Sequence, residues 1–138
     1  MRRFAAALPL VLAASMASAA PLTVTVDNIR SAQGVIRLSL YASPAEWPDK
    51  SSRDHDFALK AERGQVVFRL DVPPGIYAVN GFHDENGNGK FDTNFLGIPE
   101  EGYFFSNDVR PFLSAPAFDA AKFTVPAAGR TIIVHVVY

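Results

Sequence analysis

The sequence contains no cysteine. Disulfide staples and thiol chemistry are therefore excluded, and burial of apolar side chains, with or without a bound ion, must hold the fold. It also lacks any surplus of positive charge, with 13 Lys and Arg against 14 Asp and Glu. Without a basic stripe or patch, nucleic acid is excluded as a partner. Long apolar runs are missing too. The longest, Phe4–Leu12, falls short of the ~20 residues a membrane span needs.

That run belongs to MRRFAAALPLVLAASMASAA, which has the three-part pattern of a secretory signal peptide: Arg2 and Arg3, an apolar stretch, then small residues. Ala17 and Ala19 satisfy the small-x-small rule and place cleavage before Ala20. No cysteine stands at the cleavage site, so a lipid anchor is excluded. The expected organisation is a signal peptide over residues 1–19 and one domain over residues 20–138, periplasmic or secreted from a bacterium, with no integral membrane span once the signal is cleaved. Loss of Arg2 and Arg3 leaves 11 basic against 14 acidic residues, a net charge of −3.

Helix signals are sparse, and the remaining chain reads as strands. Leu22–Val26, Val35–Tyr41 and Gln65–Val72 each alternate apolar and polar residues with the period of two that buries one face. Ile76–Phe82, a short run at Lys122–Val125 and the β-branched Arg130–Tyr138 follow. Ser31–Gly34 reads as a hairpin connection, Pro73-Pro74-Gly75 as a tight turn, and Phe57–Glu62 as a turn or two of helix. The pattern predicts an all-β fold, an antiparallel β-sandwich of about seven strands. Asp84–Ala117 holds no convincing strand and reads as one long ordered loop, a length usual for functional segments.

The start of that loop, HDENGNGKFD, has calcium-loop spacing. Asp84, Asn86, Asn88 and Asp92 would supply side-chain oxygens on alternate positions, Lys90 its backbone carbonyl, and Gly89 the sharp turn. The twelfth position, where an EF-hand places a bidentate Glu, is Phe95, and no helices flank the loop, so an EF-hand is rejected. Glu100 or Glu101 would complete the shell. The competing reading is an Asx-rich turn whose side chains cap their own backbone without any ion.

His83 borders the loop, either as hydrogen-bonded support or as a base beside Asp84; His55 reads as solvated and His135 as structural. The adjacent carboxylates Asp84–Glu85 and Glu100–Glu101 point apart and make poor acid/base pairs. No catalytic constellation is discernible, so the chain is read as a non-enzyme. Eight aromatic residues between Phe82 and Phe118 form either a satellite core or a binding face. Trp47, Phe95, Tyr103, Phe105 and Phe112 are the candidate binding surface for a protein or glycan partner. A carbohydrate-binding module is favoured if Trp47 and Tyr103 are coplanar and exposed.

PPGIYAVNGFHDENGNGKFDTNFLGIPEEGYFFSNDVRPF, with PAFDAAKFTV, resembles the bacterial family named domain of unknown function 2141 across essentially the whole mature chain. The resemblance implies an exported protein with no established activity and a prealbumin-like Greek-key sandwich, akin to carboxypeptidase regulatory and starch-binding domains. It brings no catalytic residues. Phe104 stands where many members have Gly, and Asp108 is followed by a shortened insert before Pro111. Hydroxyisourate hydrolases share the implied architecture, but the chain's Val136-Val137-Tyr138 lacks their Tyr-Arg-Gly-Ser tail, so that activity is not supported.

Overall fold

A computed structural model describes residues 18–50 and 55–138. The predicted signal peptide falls almost wholly outside the described residues, as do Arg53 and Asp54. Eight strands form: β1 (Ala20–Ile29), β2 (Val35–Tyr41), β3 (Asp56–Lys60), β4 (Gly64–Val72), β5 (Gly75–Asp84), β6 (Tyr103–Phe105), β7 (Phe123–Val125) and β8 (Arg130–His135). Among the described residues one short α-helix, α1, spans Phe118–Ala121.

Two sheets stack around one core. The first has the order β4-β1-β8; the second has the order β3-β2-β5-β6, with β7 on the first residues of β5. Alternation decides which side chains meet between them. Leu22, Val24 and Val26 of β1, Val66 and Phe68 of β4, and Val134 of β8 face Ile36, Leu38 and Leu40 of β2, Val79 of β5 and Phe104 of β6, all buried. Each fully buried side chain of this kind stabilises by about 1.5–3 kcal/mol. A one-residue slip would turn a whole set to solvent, so the pattern fixes the register.

Three expectations are corrected. Ser31–Gly34 is not a hairpin: β1 pairs with β4 and β8, β2 pairs with β3 and β5, and the segment crosses between sheets. Alternation identifies a strand but carries no information about its neighbour. The predicted antiparallel β-sandwich is the fold found, and within it β1 and β8 run parallel, from Leu22↔Arg130 to Asp27↔His135. Phe57–Glu62 is not helical; β3 covers Asp56–Lys60 and pairs along β2 from Leu38↔Phe57 to Val35↔Lys60. Its Ala, Leu and Lys favour helix intrinsically, but the open edge of β2 and the packing of Phe57 on the core override that preference. Finally, the long loop contains β6, three residues too short to show a period.

A second, smaller core lies on the opposite face of the second sheet. Tyr41 and Ala78, the outward neighbours of Leu40 and Val79, are covered by Phe118 and Ala121 of α1, with Trp47 and Val109 packed against them. One end of that outer face is thus closed. The other end is open.

Candidate functional site

The long loop begins where β5 leaves the sheet. Asp84 is the last residue of β5 and is fully buried. Its Oδ2 accepts hydrogen bonds from Arg37 Nε at 2.8 Å and the Gly89 amide at 2.9 Å, and its Oδ1 accepts from the Asn88 amide at 3.2 Å. Burial pushes its carboxyl up, but the bonds from Arg37, Gly89 and Asn88 outweigh this and hold it below the ordinary carboxylate range. Gly89, at φ 75°, makes the turn that aims these amides inward.

The two asparagines serve both the backbone and Asp92. Asn86 Oδ1 accepts from the Asn88 amide at 3.2 Å, and Asn88 Oδ1 from the Lys90 amide at 2.9 Å. Their amide nitrogens donate to Asp92, Asn86 at 2.7 Å and Asn88 at 2.9 and 3.0 Å. These bonds, Asn88 first, lower the Asp92 pKa. Glu101 returns from beyond the tip to close the ring. It is buried and accepts the amides of Asp92 at 2.8 Å and Glu85 at 3.0 Å. Burial raises its pKa and the neighbouring Asp92 charge adds to the rise, the two amides opposing.

Of the predicted ligands, Asp84, Asn86, Asn88 and Asp92 therefore converge, and Glu101 joins them. Glu100 is exposed and meets Asp92 only through its backbone amide, at 2.9 Å. The Lys90 side chain is exposed. Among the described residues, no three of His, Asp and Glu gather as a metal-type cluster.

His83 supports the loop from below. It is fully buried; Nε2 donates to the Gln33 carbonyl at 2.7 Å, which leaves Nδ1 to accept the Tyr138 hydroxyl at 2.7 Å. Both nitrogens are engaged and neither reaches solvent. Glu85 turns away from Asp84 to pair with Arg30, whose guanidinium lies over the Tyr138 ring at 4.3 Å. Adjacent carboxylates do point apart, as a strand requires.

Beyond the ring, the loop walls a cleft of about 510 Å³ on the open end of the second sheet's outer face. Its floor is built by alternation: Arg37 and Ser39 of β2, Asn80 and Phe82 of β5, and Tyr103 and Phe105 of β6, with Tyr41 at the closed end. Phe91, Pro99, Pro48, Asp49, Pro111 and Ala115 complete the lining. The rings form a chain of edge contacts, Phe82–Phe91 at 5.5 Å, Phe91–Tyr103 at 6.3 Å and Tyr103–Phe105 at 6.0 Å.

The predicted binding surface separates into three parts. Tyr103 and Phe105 line the cleft. Phe95 and Phe112, 96% and 85% exposed, project from loop tips and do not line it. Trp47 is half-buried beneath, with its edge or face against Tyr41, Phe105 and Phe118 at 5.1–6.1 Å and its Nε1 donating to the Pro116 carbonyl at 2.7 Å. It packs against the small core. Sequence reasoning passed over Arg37, Ser39, Asn80, Phe82 and Phe91 as cleft residues. The outward positions of β2 were legible from its alternation; that they share a row with β6 was not, because β6 itself was not recognised.

Fold and site together define a class: an all-β sandwich with a loop-walled aromatic cleft on one sheet. Within that class the chain belongs to the family described as "Uncharacterized protein conserved in bacteria (DUF2141)", whose pattern it matches over residues 24–133. No curated protein and no solved structure gives a match. No helix among the described residues is long and apolar enough to cross a membrane.

Proposed function

We propose that this protein is an exported, non-enzymatic binding module that takes its ligand in the aromatic cleft on the second sheet. The observation that carries this reading is the cleft's composition. The solvent face of a sandwich sheet is ordinarily polar, yet Phe82, Tyr103 and Phe105 point outward here and the loop adds Phe91. A concave apolar surface of a few hundred Å³ with a few polar groups is the usual form of a small-molecule site. The N-terminal pattern of residues 1–19 supports export. A carbohydrate-binding module draws less support, since Trp47 is packed against three rings, and a hydrolase using His83 draws none from a histidine with both nitrogens engaged.

The test uses a hydrophobic fluorescent probe such as anilinonaphthalene sulfonate. The Tyr103→Ala/Phe105→Ala double variant is expected to weaken probe binding at least about tenfold, since each lost ring contact contributes on the order of 1 kcal/mol or more. Unchanged probe affinity in a folded double variant would remove the cleft from the account.

Calcium is proposed as a stiffener of the cleft's wall, with Asn86, Asn88, Asp92 and Glu101 as side-chain ligands and the Lys90 carbonyl as a fifth. The fit is partial. Asp92 and Glu101 bring two carboxylates together, which a cation would relieve. Asp84 stays with Arg37, and both asparagine amides must turn their oxygens toward the ion. Affinity in the range of about 10⁻⁴–10⁻³ M is expected. At ten times Kd, calcium would add about 1.4 kcal/mol, a rise in Tm of several degrees relative to EDTA that Asp92→Asn abolishes. An identical Tm with EDTA and with millimolar calcium leaves the ion-free Asx turn.

A further inference from the structure

Among the described residues the cleft is lined by one cation, Arg37, and the geometry points to its purpose: the ligand is a small apolar carboxylic acid, its carboxylate held by Arg37 and its body laid along the aromatic rings. This rests on the reading of the cleft as the binding site and names the ligand's class.

Arg37 sits in a row across three strands. It faces Phe82 of β5 in register, and Phe82 faces Tyr103 of β6. With strands ~4.8 Å apart, the row places a guanidinium and two rings within about 10 Å. A guanidinium has five N–H donors. One, on Nε, goes to Asp84 Oδ2 at 2.8 Å, and no other hydrogen bond engages the Arg37 side chain among the described residues. Asp84 is itself fixed from below by the Asn88 and Gly89 amides, so the arginine is held by its inner edge. Its terminal nitrogens remain free at a side chain that is 36% exposed and lines the cleft. That is a pre-positioned fork of the kind that receives a carboxylate through two parallel bonds.

Two further features narrow the class. Among the described residues Arg37 is the only cation lining the cleft, enough for a monoanion and poor for a doubly charged phosphate. Asp49 lies beside Pro48, whose carbonyl accepts from Asn80 Nδ2 at 2.8 Å, and Asn80 pairs with Ser39, farther along β2 from Arg37. A carboxylate is repelled at that end and attracted at the other, so the ligand has one orientation.

The test is calorimetric, on the purified protein, with matched pairs that differ only in charge: 1-naphthoic acid against 1-naphthalenemethanol, and decanoic acid against decanol. In at least one pair the acid is expected to bind about tenfold or more tighter than the alcohol, as charge-assisted hydrogen bonds provide. A preference in the naphthyl pair assigns a ring body and one in the decyl pair a chain; either supports the anchoring. Arg37→Gln is expected to equalise acid and alcohol. Should that variant fail to fold, the wild-type comparison alone decides. Equal binding of acid and alcohol in both pairs overturns the inference and leaves the cleft reading standing. No binding by any of the four overturns both.

Discussion

Replacing Phe104 by alanine is expected to destabilise the protein by about 3–5 kcal/mol. Phe104 is the middle residue of β6 and the one that turns inward, with 1% of its surface exposed. Its ring lies over Gly81 of β5. A Cβ on Gly81 would stand 2.2 Å from Phe104 Cζ and 2.1 Å from the Arg37 carbonyl oxygen, so the ring occupies the space that glycine leaves open. Truncation to alanine empties that space, and Gly81 has no side chain with which to fill it. The loss therefore belongs at the upper end of the range for large-to-small changes, where collapse is least possible. Urea denaturation with an unchanged m-value would measure it. A loss below about 1 kcal/mol would mean that the ring contributes little packing. The effect reaches the cleft as well, because Tyr103 and Phe105 flank Phe104 on a strand of three residues. Ligand binding should fall with stability in this variant.

The second large effect belongs to Asp84→Ala. The change removes the acceptor for Arg37 Nε and for the amides of Asn88 and Gly89. Breaking a fully buried ion pair by deleting one partner costs about 3–5 kcal/mol. Here the arginine side chain is 36% exposed and regains water, so the expected loss is about 2–4 kcal/mol. The same carboxyl makes the protein acid-sensitive. Folding lowers its pKa, so its stabilisation is complete above the ordinary value of about 3.9 and disappears as pH falls through the folded value. Glu85 and Asp92 act in the same sense, whereas Glu101, with a raised pKa, favours the fold when protonated and opposes them. Tm is expected to fall below about pH 4 in the wild type and to fall less in Asp84→Ala. Equal acid dependence in the two would mean that Asp84 does not titrate between folded and unfolded states. Since Asp84 also fixes Arg37, the variant should lose any preference for an acid over its alcohol.

How much of this was legible depended on what kind of signal each feature leaves. β1, β2 and β4 announce themselves because alternating residues repeat the same choice, and β8 by its β-branched run; alternation also told that Arg37 and Ser39 face outward. β3 and β6 leave no such signal. Asp56–Lys60 consists largely of good helix formers drawn into a strand by a free edge, and Tyr103–Phe105 is too short to repeat anything. Pairing was invisible for a different reason: β1 and β8, the first and last strands, lie side by side and parallel, a contact set by the closing of the sandwich and by nothing local. In the loop, Asp84, Asn86, Asn88 and Asp92, spaced on alternate positions, share one set of hydrogen bonds. The spacing could not show that Arg37, from a strand nearly fifty positions earlier, supplies the cation at Asp84. For the aromatics the sequence left packing and display as alternatives and grouped Trp47 with Tyr103 and Phe105. Trp47 and Phe118 pack, Tyr103 and Phe105 display, and the difference is which face of a strand or turn each occupies once the second core has formed.

The central claim is that the aromatic cleft of the second sheet binds a ligand, and chemical-shift mapping tests it most directly. With the aromatic side chains labelled and an apolar acid such as 1-naphthoate titrated in, the account expects saturable shifts at Phe82, Phe91, Tyr103 and Phe105, a smaller response at Trp47 through its contact with Phe105, and none at the buried Phe68 and Phe123 of the main core. Shifts confined to the exposed tips at Phe95 and Phe112, or no saturable shift in the cleft residues, would contradict it.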